Sequence, residues 1–524
     1  MLFNKYLAAS AAAILVSIYA AAAQNASALI SKSSIEYKST EISLISDGEV
    51  SLTNLQTVTR YEFTYLLQKS EAPDPETVTT DLNLKVMPSV IAFRTPYSEY
   101  DKFFPADLLY TVYDLPPFAE ASAGMGLGNW FFISSNYYVK NSKGELTGPG
   151  FYSPASSGYY EAGEAPSEAY LSFAMKHASL SVGRFKTGIG EGFLGNTFLN
   201  GKAPWYDQMQ FSIYTDKIKF FYMIGGSNSH LTEEEFNLQN QVGGIDNNYY
   251  PTEEYKAEHM KTFIYHRLEW KPFRNFKLGF GEMNVVGGKF PEFNELNPVT
   301  FYHNTYDVNH REYMCMLDLN YVPVRGLLIY SEFVINELKL SNERSAEPTA
   351  LAQQLGIKYV FTASSGLKHS AAIEAAHVDS WTYIDYVPYT SMYQRIAGQT
   401  YYYDVPLGYA YGGDLIHYGL KYEVFAESGF SFSVEVNQLL KGEKRMGLDE
   451  ETGKTYYDGT AGYRGFPTGT IERTSSVKTK LNIPFYTRYT FQTSVYYSYI
   501  ENFLNEQGND QHEIISYCGV GVEI

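Results

Sequence analysis

The feature that most constrains the fold is a regular alternation, from about residue 168 onward, between period-two segments and two kinds of connection. Seven connections are short and rich in turn-forming residues, near 177–178, 215–217, 272–275, 323–326, 364–366, 427–429 and 483–486. The others are long, polar and rich in Gly, Asn, Asp and Tyr, over 188–208, 227–261, 286–310, 338–353, 380–414, 441–474 and 501–511. Short turns at one end and long loops at the other are typical of a bacterial outer-membrane β-barrel.

The segments between these connections separate apolar from polar residues by parity. In 430–437, one face carries Phe430, Phe432, Val434 and Val436, and the other carries Ser431, Ser433, Glu435 and Asn437. A soluble β-sandwich has the same period, so the alternation alone leaves both folds open. Length favours the barrel, because the segments run for about 9 to 13 residues, near the 9 to 11 that cross a bilayer at a tilt.

The strand count follows from the connections. Seven hairpins and a final strand give 7 × 2 + 1 = 15 strands after residue 168, and further strands in 33–93 and 131–140 raise the total to about 16–18. Residues 96–120 break the pattern and are interpreted as an irregular or helical insert at the barrel mouth. The sequence therefore predicts an all-β, transmembrane antiparallel β-barrel with short periplasmic turns and long extracellular loops.

Both ends of the sequence agree with export to an outer membrane. Residues 1–28 combine Lys5, an Ala-rich apolar stretch and small residues, which predicts a cleavable signal peptide; a retained anchor is the alternative. Residues 29–524 are then the barrel. Residues 513–524 alternate in the manner of the terminal strand that the barrel-assembly machinery reads, with Ile524 replacing the usual final aromatic. The predicted location is the outer membrane of a Gram-negative-type envelope, in contact with its lipid.

Composition excludes several classes of protein. The net charge of −18 leaves no basic surplus for nucleic-acid phosphates. The two cysteines, Cys315 and Cys518, have no neighbours at metal-ligand spacing, so we expect no metal and no cofactor. Neither a G-x-S-x-G element nor an HExxH motif occurs, and we expect no enzymatic activity, although an outer-membrane hydrolase built on scattered Ser and His residues stays open.

Parity places a group of polar side chains on the predicted lumen face, where they are candidates for ligand binding: Tyr265, Arg267, Glu269, Asp318, Asn320, Tyr330, Glu332 and Asn336. The alternative role for Arg267 and Glu269 is an internal salt bridge between strands. Glu282 falls on the lipid face by parity. We interpret it as a further lumen residue turned inward by a bulge at Gly279 and Gly281, the alternative being a position above the bilayer edge.

A second candidate site lies in the outer loop 380–414, which is rich in aromatic residues. Trp381, Tyr402 and Tyr403 are the candidate ligand contacts, because aromatic rings stack on sugar rings and the Tyr hydroxyl adds a hydrogen bond. Packing of the loop on itself is the alternative. The acidic loop 233–258 opposes binding of an anionic polymer in that region.

Four stretches resemble a known family: GRFKTGIGEGFLGN (183–196), YHRLEWKP (265–272), NFKLGFGEMNVVGG (275–288) and LNPVTFYHN (296–304). They resemble the capsule-assembly Wzi-like family of outer-membrane proteins, over roughly 181–338. The resemblance implies an 18-stranded barrel that binds or organises surface or capsular polysaccharide in a lectin-like manner, without turnover. It also implies a small periplasmic helical bundle, for which 96–120 is the one candidate. A substrate-specific porin for a small solute shares the same alternation and is the alternative function.

Overall fold

The computed structural model describes residues 25–70, 78–96, 110–111, 113–140, 149–152, 161–162, 168–228, 260–287, 289–304, 311–338, 349–384, 390–397, 402–443, 467–486 and 488–524. The predicted signal peptide lies outside these residues, except for its last four positions.

The described chain is a closed antiparallel β-barrel of 18 strands, which confirms the predicted fold class and strand number. The strands are β1 (Leu29–Ser31), β2 (Thr57–Thr59), β3 (Val78–Val86), β4 (Ser89–Arg94), β5 (Ala119–Leu127), β6 (Phe131–Lys140), β7 (Pro149–Tyr152), β8 (Glu161–Ala162), β9 (Glu168–Met175), β10 (Ala178–Phe185), β11 (Tyr206–Tyr214), β12 (Ile218–Asn228), β13 (Met260–Phe273), β14 (Phe276–Gly287), β15 (Arg311–Val324), β16 (Leu327–Glu337), β17 (Ala350–Thr362), β18 (Lys368–Val378), β19 (Tyr393–Ala397), β20 (Tyr402–Pro406), β21 (Leu415–Phe425), β22 (Ser431–Lys441), β23 (Glu472–Phe485), β24 (Tyr489–Glu501) and β25 (Gln511–Glu523).

Some barrel strands are divided into two segments or pair with more than one segment. β25 pairs with β3 and β4 in a single register, from Ile514↔Arg94 to Glu523↔Lys85, so β3 and β4 form one strand interrupted near Pro88. β6 pairs with both β8 and β9, and β3–β4 pairs along its other edge with β5 and β7. β1 pairs with β2, and β19 with β20, as two small separate sheets.

All seven predicted short turns lie between paired strands, and an eighth joins β5 to β6. Four of these eight turns contain a glycine in the left-handed region, which glycine adopts without strain: Gly128 (φ 52°), Gly326 (φ 84°), Gly366 (φ 83°) and Gly429 (φ 97°). The turn chemistry was therefore readable locally.

The two faces of the wall differ as a membrane requires. On β13, Leu268 and Trp270 point outward and are each 48% exposed, whereas Glu269 between them is 0% exposed and points into the lumen. Phe273 and Tyr486 are exposed beside the short turns, as in an aromatic girdle. The apolar side of each strand therefore faces lipid.

The prediction of further barrel strands between 33 and 93 is confirmed for β3 and β4, whereas the residues before them are largely helical. Residues before β3 form α1 (Ile35–Ser46), α2 (Arg60–Phe63) and a π-helical turn (Thr64–Gln68). The Ser34 hydroxyl accepts a hydrogen bond from Tyr37 N (3.2 Å) and caps α1. No helix among the described residues has the length and apolar character needed to cross a membrane. Short 3₁₀ turns lie at Tyr302–Asn304 and Phe503–Asn505.

These helices lie against the short turns, which is the periplasmic end. Gly326 N donates to Ile45 O at 2.9 Å, and Val50 N donates to Arg274 O at 3.1 Å. The helical part that the family resemblance implies is thus found in the N-terminal residues. Within 96–120, the described residues Tyr110, Thr111 and Tyr113 are also helical.

Glu49 fastens this helical part to the wall and makes its attachment sensitive to acid. Its carboxylate accepts hydrogen bonds from Lys271 Nζ (2.8 Å) and Arg274 Nε (3.1 Å). Burial by itself raises the pKa of Glu49, but the hydrogen bonds from Lys271 and Lys69 outweigh it and lower the pKa below its ordinary value.

A lowered folded-state pKa gives stability that is present above the unfolded value, near 4.3, and is lost as pH falls through the folded value. We therefore expect wild type to lose roughly 1.5 kcal/mol of stability more than Glu49→Gln between pH 5 and pH 2. The measurement is the temperature at which the heat-modifiable folded band disappears from a gel, taken across that range. Glu506→Gln, in an exposed loop, is the control and should follow wild type.

Candidate functional site

Part of the lumen is filled by the N-terminal segment 49–59, which we call the plug. Asn54 N donates to Glu269 Oε1 at 3.0 Å, and Asn54 Nδ2 donates to Asp318 Oδ1 at 2.9 Å. Both acceptors are predicted lumen residues. The plug therefore occupies the space in front of β13 and β15.

A second segment, the inner loop 186–205 between β10 and β11, fills the lumen beside the plug. Thr197 donates to Glu332 Oε2 from its backbone N (2.8 Å) and from its hydroxyl (2.7 Å). Phe193 N donates to Glu374 at 2.9 Å. Because carboxylates of the wall accept backbone N–H groups of the loop, the loop satisfies buried charges that the lumen would otherwise leave to water.

Arg267, Glu269 and Asp318 form the centre of a buried ionic network. Arg267 Nε lies 3.3 Å from Glu269 Oε1, and Arg267 also pairs with Asp318. Lys277 Nζ is 3.6 Å from a carboxylate oxygen of each acid. All four side chains are at most 1% exposed. Arg267 and Glu269 therefore form the internal salt bridge that was the alternative to ligand binding. Their charged groups are paired with other buried charged groups of the protein.

The other predicted lumen residues are also buried. Tyr265 contacts Phe198 of the inner loop, and Asn320 contacts Asn54 of the plug. Tyr330 contacts Glu374 of the wall, and Asn336 contacts Tyr383 of the outer loop. The alternation of side chains along the strands therefore put these residues correctly on the inner face. It did not predict that the plug, the inner loop and the outer loop would lie against them.

A second charge cluster ties α1, the inner loop and the wall together. Lys32 Nζ lies 2.6 Å from Glu191 and 3.3 Å from Glu41, and Lys358 Nζ lies 3.6 Å and 3.2 Å from the same two acids. Desolvation raises the pKa of Glu191, but Lys32 and Lys358 outweigh it and lower this pKa to about 2. Glu191 therefore stays ionised at neutral pH, and the cluster joins α1 and the inner loop to β17.

Glu282 is where the sequence interpretation was wrong. The pairing of β13 with β14 runs without a shift through His266↔Glu282, so no bulge turns the carboxylate inward. Glu282 stays on the outer face, where it accepts from His266 Nε2 (3.0 Å), Tyr313 OH (2.8 Å) and Tyr302 N (3.2 Å). A segment that folds back over the outside of the wall supplies Tyr302, which the parity argument did not anticipate.

The predicted outer aromatics are only partly described. Trp381 is half-buried. Tyr402 and Tyr403 begin β20, and their side chains lie outside the described part of the structure. Neighbouring rings of the same loop are buried: Tyr383 OH donates to Thr197 O of the inner loop, and Tyr409 OH lies 2.9 Å from His417 Nδ1. The outer loop therefore packs down onto the inner loop.

The described residues at the end of the 96–120 insert contact the outer loop and strand β23, on the side of the lumen opposite the plug. Tyr110 OH donates to Ala410 O at 2.8 Å. Asp114 lies 2.9 Å from Lys478 Nζ and 3.0 Å from Lys480 Nζ. Although desolvation raises it, these two ammonium groups lower the pKa of Asp114 well below its ordinary value.

Facing this insert is a surface that the sequence reading did not single out, which we call the polar wall. It comprises half-exposed, inward-facing side chains of β21 to β24: Lys421, Glu423, Ser433, Glu435, Lys478, Lys480, Asn482, Gln492 and Ser494. The sequence does contain a signal for it, since Glu435 lies on the polar face of its predicted strand and Lys478 and Lys480 repeat at a spacing of two. The sequence does not indicate that this side of the lumen, and not the side filled by the plug, would be open to a ligand.

The polar wall combines positive charge, hydrogen-bonding groups and ring faces. Lys421, Glu435 and Lys478 are neighbours in register on three adjacent strands. Lys421 Nζ lies 3.8 Å from Glu435 and 6.0 Å from the ring centre of Phe193. A small cleft between the insert and β23–β25 is lined by Asp114, Lys480 and other residues. Such a surface suits a hydroxylated or acidic ligand.

The described residues contain no cluster of three or more potential metal ligands from His, Cys, Asp and Glu.

Taken together, the closed 18-strand wall, its apolar outer face and its polar lumen define an outer-membrane β-barrel that is filled on one side by its own chain. The protein lies in the outer membrane. Its fold is similar to that of Wzi from Escherichia coli, an outer-membrane protein involved in group 1 capsule assembly and described as a carbohydrate-binding β-barrel. The TM-score is 0.56 at 15% identity, covering 95% of this chain and 99% of that chain. The resemblance read from the sequence is thus confirmed for the fold.

Two porins give weaker similarity. OprD of Pseudomonas aeruginosa has a TM-score of 0.41 at 10% identity, covering 85% of this chain and 96% of that chain. A BenF-like porin from Pseudomonas fluorescens has a TM-score of 0.39 at 7% identity, covering 85% and 99%. No protein-family model matches the chain. No curated protein matches it either.

Proposed function

We propose that this barrel binds or organises surface polysaccharide at the cell surface, without turnover, and that a glycan chain entering the lumen contacts the protein at the polar wall, in the half of the lumen nearer the short turns. The observation that carries the proposal is the division of the lumen. The side lined by β10–β18 is filled by the plug and inner loop, whereas the polar wall of β21–β24 keeps half-exposed donors and acceptors. The fold similarity to the carbohydrate-binding Wzi supports it.

The charges of the polar wall favour an acidic glycan. Lys421, Lys478 and Lys480 bring three positive charges, against Glu435 and Asp114 nearby, while Glu423 pairs with Lys38. Since the whole chain carries −18, this is a local reversal of sign. Uronic-acid carboxylates bind lysine ammonium groups through charge-assisted hydrogen bonds, and sugar hydroxyls match Asn482, Gln492 and Ser494.

The second candidate is a substrate-specific porin, because the same half-exposed polar wall is what a small solute would pass along. Single-channel conductance in a planar bilayer separates the two functions. For the folded, inserted protein we expect no steady open steps, together with retention of an acidic polysaccharide on immobilised protein. Steady open steps without retention would make the porin the better description.

Turnover is tested separately on the same preparation. After prolonged incubation with the retained polysaccharide, we expect its chain-length distribution to be unchanged. Shortening of the polymer that is lost on heat denaturation of the barrel would contradict binding without turnover.

A further inference from the structure

Residues 289–303, between β14 and β15, form a cover on the outside of the barrel, which we call the outer flap. Tyr302 stacks on His266, with ring centres 4.5 Å apart and planes at 19°. Tyr222 OH donates to Leu296 O at 2.6 Å. Tyr222, Ile264, Val286 and Tyr302 form an apolar cluster separate from the cluster inside the lumen. The outer flap is therefore packed on the lipid-facing side of β12–β15.

Beneath the outer flap lies a polar pair that lipid would not tolerate uncovered. The Glu282 carboxylate accepts from His266, Tyr313 and the backbone of Tyr302, and is 3% exposed. Its neighbour in the same outward row, Phe280, is 42% exposed. Since a charge on the lipid face is destabilising near the bilayer midplane, the flap supplies both hydrogen bonds and cover.

The height of Glu282 places this cover at the level of the outer leaflet. Glu282 is 282 − 276 = 6 residues beyond Phe276, which begins β14 beside the periplasmic girdle. Six residues span about 20 Å along a strand, or about 15 Å along the membrane normal at the usual tilt of such barrels. The apolar band is about 25 Å tall. The carboxylate thus lies above the midplane, within the membrane.

The outward surface of the outer flap is apolar at four large side chains. Phe293 is 94% exposed, Val299 74%, Phe290 64% and Phe301 61%. Glu292, Asn294 and Asn297 on the same segment are also exposed. Mixed aromatic and polar exposure is typical of a segment in the membrane interface, with rings among acyl chains and polar groups toward headgroups.

We propose that the outer flap is a lipid-binding surface whose apolar side chains contact the acyl chains of the outer leaflet. It continues the exposed apolar face of the barrel, represented beside it by Phe280 and Leu317, so the surroundings of both are the same hydrocarbon. The inference is independent of the glycan proposal, because it concerns the outside of the wall. A second copy of the chain is the competing occupant.

Fluorescence quenching by lipids tests this surface directly. Phe293→Trp and Phe301→Trp variants of the full chain are placed in vesicles whose phospholipid acyl chains are brominated. The fluorescence of the introduced tryptophan is measured as the difference between the variant and wild type. We expect the added fluorescence to be at least halved by brominated acyl chains and to be shielded from aqueous iodide. Gln507→Trp, in the exposed loop between β24 and β25, is the matched control and should show the opposite pattern.

Two results would overturn the proposal. Iodide quenching of both flap variants without quenching by brominated lipid would place the outer flap in water. Shielding from both quenchers, released as the protein is diluted in excess lipid, would assign the surface to a second copy of the chain.

Discussion

Replacing Asp318 by Ala is expected to lower the free energy of unfolding by about 3–5 kcal/mol, because the change leaves Arg267 and Lys277 buried beside a single remaining acid, Glu269. It also removes one of the acceptors for the side-chain amide of Asn54 in the plug. The expected readout is loss of the heat-modifiable folded band at a clearly lower temperature. Reversible urea unfolding in lipid vesicles would give the free energy itself.

The matched control is an ion pair at the surface. Glu427→Gln breaks the pair between Lys368 and Glu427, whose side chain is 77% exposed, and should leave the temperature at which the folded band disappears close to that of wild type. Equal effects of the two substitutions would contradict the claim that the buried network holds plug and wall together. A double variant, Arg267→Met with Asp318→Leu, should recover part of the loss, since it removes charges of both signs.

Replacing Lys480 by Gln is expected to weaken binding of an acidic polysaccharide about tenfold, because one charge-assisted hydrogen bond contributes roughly 1.5 kcal/mol or more. Lys480 is chosen because its side chain is 44% exposed on the polar wall and is therefore open to a ligand. Isothermal titration with defined acidic oligosaccharides measures the change. A neutral oligosaccharide should lose much less affinity.

Lys217→Gln is the control for this experiment, since Lys217 is exposed in a periplasmic turn away from the polar wall. It should leave affinity unchanged, while Lys480→Gln leaves the folded band and barrel stability near wild type. Unaltered binding by the Lys421→Gln, Lys478→Gln, Lys480→Gln triple variant would remove the polar wall from the glycan site. Trp381 and its neighbours in the outer loop would then be the next residues to test.

The lumen residues illustrate how far parity goes. It placed Arg267, Glu269 and Asp318 on the inner face, because side chains alternate strictly along a strand. It did not indicate which of them meet protein and which meet water, since that depends on segments distant in sequence. Asn54 reaches Asp318 across 264 positions, and no local pattern encodes such a contact.

Glu282 illustrates the converse failure. Parity correctly put it on the outer face, and the expectation that a charge there must turn inward was wrong because Tyr302 and Tyr313 come over it. A chain can satisfy a polar group on the lipid side by folding a loop back along the wall. Nothing in the alternation of β14 signals that choice.

The sequence by itself determined the barrel: its closed antiparallel wall, the positions of the short turns such as 325–326, and which face of each strand meets lipid. These follow from interactions between residues close along the chain, and from a solvent that admits only closed sheets or helices. The tertiary structure alone decided what fills the lumen, which left β21–β24 as the half-exposed polar wall, and what covers Glu282. Those outcomes depend on contacts between segments far apart in sequence, whose free energy comes from burial and charge pairing that appear only once the barrel has closed around them.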